Sequence, residues 1–143
     1  MNEIYIYALK LLRKRDYTVS ELTKKLETDF QTIPAGLIDQ LTHKNFLDDR
    51  RFADNYIRRR IDRGPRVLRD ELIARGVPED LIDEILGRTQ WPSLRELLAA
   101  KMDDWKLRGP LQPREAARLF RALQRLGYDD DAIREEIEHK NEQ

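Results

Sequence analysis

Apolar positions recur along this chain at intervals of three and four residues, the spacing that gathers them on one face of a helix, and no alternating strand-like run competes. Ile4, Tyr7, Ala8, Leu11 and Leu12 make a first stripe, ended by Arg13-Lys14-Arg15, where cations suit the negative end of a helix dipole. Thr18-Val19-Ser20-Glu21 has the form of a capping box, a hydroxyl answered three residues later by Glu, and Leu22 and Leu26 supply the buried face of the helix it opens. That helix ends near Asp29. Pro34 suits the first turn of a third helix, because its missing amide costs nothing there, with Leu37, Ile38 and Leu41 inward.

The next pattern is the one around which the chain is organised. Asp48 is a good N-cap, its carboxylate facing the orphan amides of a first turn. Phe52, Ala53, Tyr56, Ile57 and Ile61 then follow at helical spacing until Gly64-Pro65 stops them. On a wheel of about 100° per residue Arg60 falls inside this apolar arc, Arg58 and Arg59 lie opposite or at its edge, and Arg63 lies at its boundary. Leu68 and Leu72 mark a further short helix closed by Gly76 in the left-handed C′ position, and Pro78 opens another.

Here the chain repeats itself. The nine residues from Ile33 to Leu41 match those from Val77 to Ile85, and Leu22 and Leu26 match Leu68 and Leu72. A more diverged copy aligns Leu68, Leu72, Gly76, Ile82 and Leu86 with Leu119, Leu123, Gly127, Ile133 and Ile137. Leu94, Leu97, Leu98, Met102 and Trp105 lead this copy, and Asp129-Asp130-Asp131 caps its last helix. The expectation is an all-α protein of three tandem three-helix, helix-turn-helix-like repeats, spanning residues 1–46, 47–88 and 89–143. Single repeats of this size bury little apolar surface alone, whereas stacked neighbours share a core, so the row is expected to be elongated and curved. Such a shape offers a long surface to another extended object, and polymers are natural partners.

Composition narrows the function. Lys and Arg number 27 and so do Asp and Glu, so no global charge draws the chain to nucleic acid or to an anionic membrane. Local patches must act instead, and the densest lies between Arg50 and Arg69, where eight arginines face two aspartates for a net +6. With no cysteine, thiolate metal sites and cysteine nucleophiles are excluded. His43 and His139 fall in different repeats, and no phosphate-cradling glycine loop or metal-ligand spacing occurs. No active site, metal or cofactor is expected. Asp48-Asp49 and Asp129-Asp130-Asp131 stand where helices need N-caps. No stretch of about 18 apolar residues and no signal-like start is seen, which fits a soluble, cytoplasmic monomer.

Phe46-Leu47-Asp48-Asp49, then Phe52-Ala53, Arg60, Gly64-Pro65 and Glu71-Leu72 ahead of Gly76-Val77 together resemble the central signature of the RecX family of recombinase regulators. The resemblance covers residues 7–86 well and the last repeat loosely, through Gly127-Tyr128 and Ile133. It implies a bacterial protein of three trihelical repeats lying along the groove of a RecA filament on single-stranded DNA. Such a protein lowers the filament's ATPase, strand-exchange and co-protease activities, and so regulates recombination and the SOS response. Single-stranded DNA would be met directly or only through the filament. One departure is charge: the family tends to be basic, but residues 127–143 carry a net −5, unfavourable to phosphates.

Arg50, Arg51, Arg58, Arg59, Arg63, Arg66 and Arg69 are the candidate contact residues for filament or DNA, since guanidinium groups on one ridge engage carboxylates or phosphates bidentately. The competing reading of a basic run is a solvated helix face. Phe46, Leu47, Asp48, Asp49, Phe52, Ala53, Arg60, Gly64 and Gly76 form a structural signature, with Arg60 requiring a partner for its charge from Asp48 or Asp49. Phe46, Phe52 and Tyr56 read as core in preference to a base-stacking platform. Two other functions fit a trihelical repeat: a direct helix-turn-helix-like DNA binder, marked by steep salt dependence, and a helical scaffold for another protein.

Overall fold

The computed structural model describes residues 2–142, and among these the chain is all-helical. Nine α-helices follow one another in three groups of three. The first group is α1 (Asn2–Lys14), α2 (Val19–Asp29) and α3 (Leu37–His43). The second is α4 (Asp49–Arg59), α5 (Pro65–Ala74) and α6 (Glu79–Arg88), with a 3-10 turn at Ile61–Arg63 between α4 and α5. The third is α7 (Leu94–Asp104), α8 (Pro113–Arg125) and α9 (Asp130–Asn141).

The caps explain where most helices begin. Thr18 Oγ1 accepts from the Glu21 amide at 2.9 Å while the Glu21 carboxylate accepts from the Thr18 amide at 3.1 Å, closing the capping box. Asp48 accepts from the Arg51 amide and Asp129 from the Ala132 amide, each at 3.1 Å. Two boundaries differ from the sequence reading. Pro34 precedes α3, because Gly36 takes a left-handed φ of 82° and starts the helix only at Leu37. The helix opened by Asp48 stops at Arg59: Gly64 is extended with positive φ ahead of Pro65, and the chain tightens into the 3-10 turn to reach it. Arg60, at φ −128°, has therefore left the helix, and its place on a continuous apolar wheel does not hold.

By packing, the elements fall into two compact units, one of residues 1–59 with 69–88 and one of residues 60–68 with 89–143. In the first unit, Ala8, Leu22, Leu26, Leu37, Leu41 and Leu47 form one buried cluster, and Phe52, Ala53, Tyr56, Ile57, Leu72, Val77, Ile82 and Ile85 are buried as well. The start of α2 locks these parts together. Thr18 donates to the Arg75 carbonyl at 2.7 Å, Arg75 pairs with Glu21 at 3.1 Å, and the Val19 amide donates to Asp49 at 2.9 Å. Gly76, at φ 86°, sits so close to Ser20 that an added Cβ would meet its Cβ at 2.3 Å.

In the second unit, Leu97, Leu98, Met102, Leu111, Leu119, Leu123, Ile133 and Ile137 make the core. Arg95 of α7 clasps Glu136 of α9, with Nε 3.1 Å from Oε2. Gly127, at φ 99°, packs against Val67, which an added Cβ would meet at 2.1 Å, and Gly64 lies against the Tyr128 ring, 3.3 Å from an added Cβ.

Candidate functional site

Leu47, Asp48, Asp49, Phe52, Ala53, Gly64 and Gly76 of the sequence signature each have a structural task. Leu47 and Ala53 are buried, and Phe52 stacks on Tyr56 with ring centroids 5.9 Å apart. Asp48 caps α4, while Asp49 holds the first amide of α2. Burial pushes the Asp49 carboxyl above its ordinary range, the Val19 hydrogen bond opposes that shift, and Asp48 and Glu21 add to it. Both aspartates thus serve backbone amides. Gly64 and Gly76 hold conformations and approaches that a side chain would obstruct. Phe46 does not belong to the core: it is 44% exposed and lies on the rim of a cleft of about 520 Å³ whose walls include Leu9, Leu12, Tyr17 and Arg51.

The arginine run separates into different environments. Arg50 pairs with Glu84 of α6, and Arg69 pairs with Asp83 at 2.8 Å and with Glu79 at 3.3 Å. Hydrogen bonds from these arginines hold the Glu84 and Asp83 carboxyls below the usual range. Helix α6 is acidic on this side, so part of the positive charge counted along the sequence is compensated by residues 10 to 34 positions away. Arg51 lines the cleft. Arg58 reaches back to Asn55 on its own helix at 3.3 Å, and Arg59 is exposed. Arg63, half-buried, and Arg66, exposed, belong to the segment that packs with the second unit. The candidates are therefore divided between the units, and α4 alone presents Arg51, Arg58 and Arg59.

A second basic surface lies outside the sequence-based candidates. Arg114, Arg118, Arg121 and Arg125 are all exposed on α8, opposite buried Leu119 and Leu123. None forms an ion pair among the described residues, and the one acid of the helix, Glu115, is turned away to accept from the Gln112 amide at 3.0 Å. Arg118 lies over the Trp105 ring, 3.8 Å from its centroid, and the Lys101 ammonium is 5.8 Å from the same ring. The spacing i, i+4, i+7, i+11 was present in the sequence but stood in the repeat that ends in net negative charge. That charge lies on α9 and its two caps, because residues 89–126 carry eight Lys or Arg against four Asp or Glu.

Among the described residues no group of three or more His, Asp or Glu converges as a metal site, and no helix is long and apolar enough to cross a membrane.

Comparison with known proteins bears on this arrangement. Residues 48–86 match the family model described as RecX, second three-helix domain. The regulatory protein RecX of Halorhodospira halophila is 33% identical over 131 residues, covering 89% of this chain and 81% of the relative. That of Streptococcus pyogenes serotype M5 is 29% identical over 140 residues, covering 95% of this chain and 54% of the relative, so the chain spans about half the length of such streptococcal proteins. The crystal structure of RecX from Lactobacillus salivarius superposes with a TM-score of 0.67 at 18% identity, covering 99% of this chain and 96% of the other, which is a likeness of fold.

Proposed function

The chain belongs to the RecX family of regulatory proteins, and on that premise we propose that it binds a RecA filament on single-stranded DNA and restrains it. Restraint here means lowering ATP turnover, strand exchange and co-protease activity by steric contact along the filament, with no chemistry of its own. The observation that carries the proposal is the family membership, and α4 supplies a surface suited to it. Arg51, Arg58 and Arg59 project from a helix whose opposite face is anchored by buried Phe52, Tyr56 and Ile57. Three guanidinium groups on a fixed helix match a carboxylate-bearing protein groove better than flexible lysines would. Arg50 and Arg69 serve instead to hold α6, and Arg63 and Arg66 are contact candidates of the second unit.

Replacing Arg51, Arg58 and Arg59 together by Glu is expected to abolish most inhibition of the single-stranded-DNA-dependent ATPase of RecA while leaving the helical circular-dichroism spectrum native. Unchanged inhibition by a folded triple variant would remove α4 from the proposal. The scaffold reading would gain if the wild-type chain captured no RecA filament at all.

A further inference from the structure

We propose that the solvent face of α8 holds the phosphate backbone of a single-stranded nucleic acid through Arg114, Arg118, Arg121 and Arg125. This deepens the preceding reading and takes its biological setting from it, because the filament invoked there contains such a strand. The contact surface is a different one.

At about 100° and 1.5 Å per residue, the four arginines fall within an arc of roughly 60° and extend over about 16 Å of helix. Their near-regular spacing, in axial steps of about 4.5–6 Å, suits a polymer of evenly spaced anions better than the irregular carboxylates of a folded protein surface. The face is unneutralised, since no acid of α8 turns toward it and no ion pair among the described residues consumes its charge. Arg118 is already ordered against Trp105, which reduces the conformational freedom it loses on gripping a phosphate. Because Arg118 and Lys101 both lie against that ring, Trp105 organises cations and is not offered as a platform for bases. Recognition by this face is therefore electrostatic and indifferent to sequence.

The choice of a single strand follows from what stands at the end of the stripe. Asp130 accepts from Gln124 at 3.1 Å, placing the acidic first turn of α9, with Asp129, Asp130 and Asp131, beside the C-terminal end of α8. A flexible strand can follow the four arginines and turn away. A duplex is stiff over this distance, and its further phosphates would be carried against those carboxylates. The same acidic turn argues against α9 entering a groove as the recognition helix of a helix-turn-helix protein.

The test is fluorescence anisotropy of a labelled oligothymidylate with the full chain over a range of salt concentrations. Replacing all four arginines by Gln should weaken binding more than tenfold at low salt and flatten the slope of log K against log salt by about 3, four contacts at about 0.7 each on a single strand. Replacing all four by Lys should keep most of the slope. The inference falls if the wild-type chain does not bind the oligonucleotide, if the Gln variant binds unchanged, or if a duplex of the same length binds as tightly through the same residues. The outcome for RecA is separable. A Gln variant that binds naked strand normally but no longer restrains the ATPase would place protein on this face and overturn the inference alone. Strand binding lost in the Gln variant, with no wild-type effect on RecA, would support the inference and overturn the regulatory reading.

Discussion

The arginines of the α4–α6 region and those of α8 differ in what their own unit places around them. Arg50 and Arg69 sit in a stretch of net +6, yet both are bound by the acids of α6. Arg114, Arg118, Arg121 and Arg125 sit in the repeat that ends with a net −5, yet Glu115, the one acid of α8, is committed to a cap. A charge count along a chain therefore measures the supply of cations. Whether they form a surface depends on where the carboxylates fold, and the two regions give opposite answers. The region rich in arginine spends part of it on architecture, and the poorer one leaves all four free of ion pairs among the described residues.

Because Arg50 and Arg69 of the α4–α6 region serve its architecture, the largest stability effects there should come from packing constraints. Gly76→Ala must push back Ser20 and hold a left-handed backbone, which should cost about 2–4 kcal/mol in chemical denaturation. Gly127→Ala, driven against Val67 in the second unit, should cost a similar amount. Replacing the four α8 arginines should leave the denaturation midpoint nearly unchanged, and a midpoint drop as large as that of Gly76→Ala would erase the distinction between the regions.

A smaller effect concerns Asp49. Asp49→Ala removes the acceptor from the Val19 amide and should cost about 1 kcal/mol, whereas Asp49→Asn keeps an acceptor and sheds a charge that burial disfavours. The Asn variant should therefore be at least as stable as the wild type at neutral pH. Because the folded pKa of Asp49 is raised, its contribution is full below the unfolded value of about 4 and is lost as pH rises through the folded value. Asp83, Glu84 and Glu136 run the other way. Their folded pKa values are lowered by hydrogen bonds from Arg69, Arg50 and Arg95, so their contributions are present above the unfolded values and disappear as pH falls through the folded ones. Midpoints measured between pH 3 and 7 should fall at the acid end, and Arg69→Gln should blunt that fall slightly. The smallest effect expected is that of Arg69→Gln at neutral pH, because exposed ion pairs contribute little.

Local features of the fold were legible in the sequence. The capping box at Thr18, the caps at Asp48 and Asp129 and the turn at Gly76 are decided within a few residues, and the triplication appears as matching apolar positions. What was not legible depends on distant partners. Nothing near Asp49 says that it serves an amide 30 residues earlier, and nothing near Arg50 announces Glu84. Ile61 matched the helical spacing of α4, but the demands of Gly64 and Pro65 outweighed it. Phe46, an aromatic beside Leu47, read as core but lies on the rim of a cleft. The α8 stripe is a different case, since its helical spacing stood in the sequence and was masked only by the charge of α9.

The most direct test of the regulatory proposal is the single-stranded-DNA-dependent ATPase rate of RecA, titrated with this protein from well below to equal molar amounts. Inhibition reaching its plateau at substoichiometric ratios, and relieved by charge reversal at Arg51, Arg58 and Arg59, is the expected result. An unchanged rate at equal amounts of folded protein would contradict it.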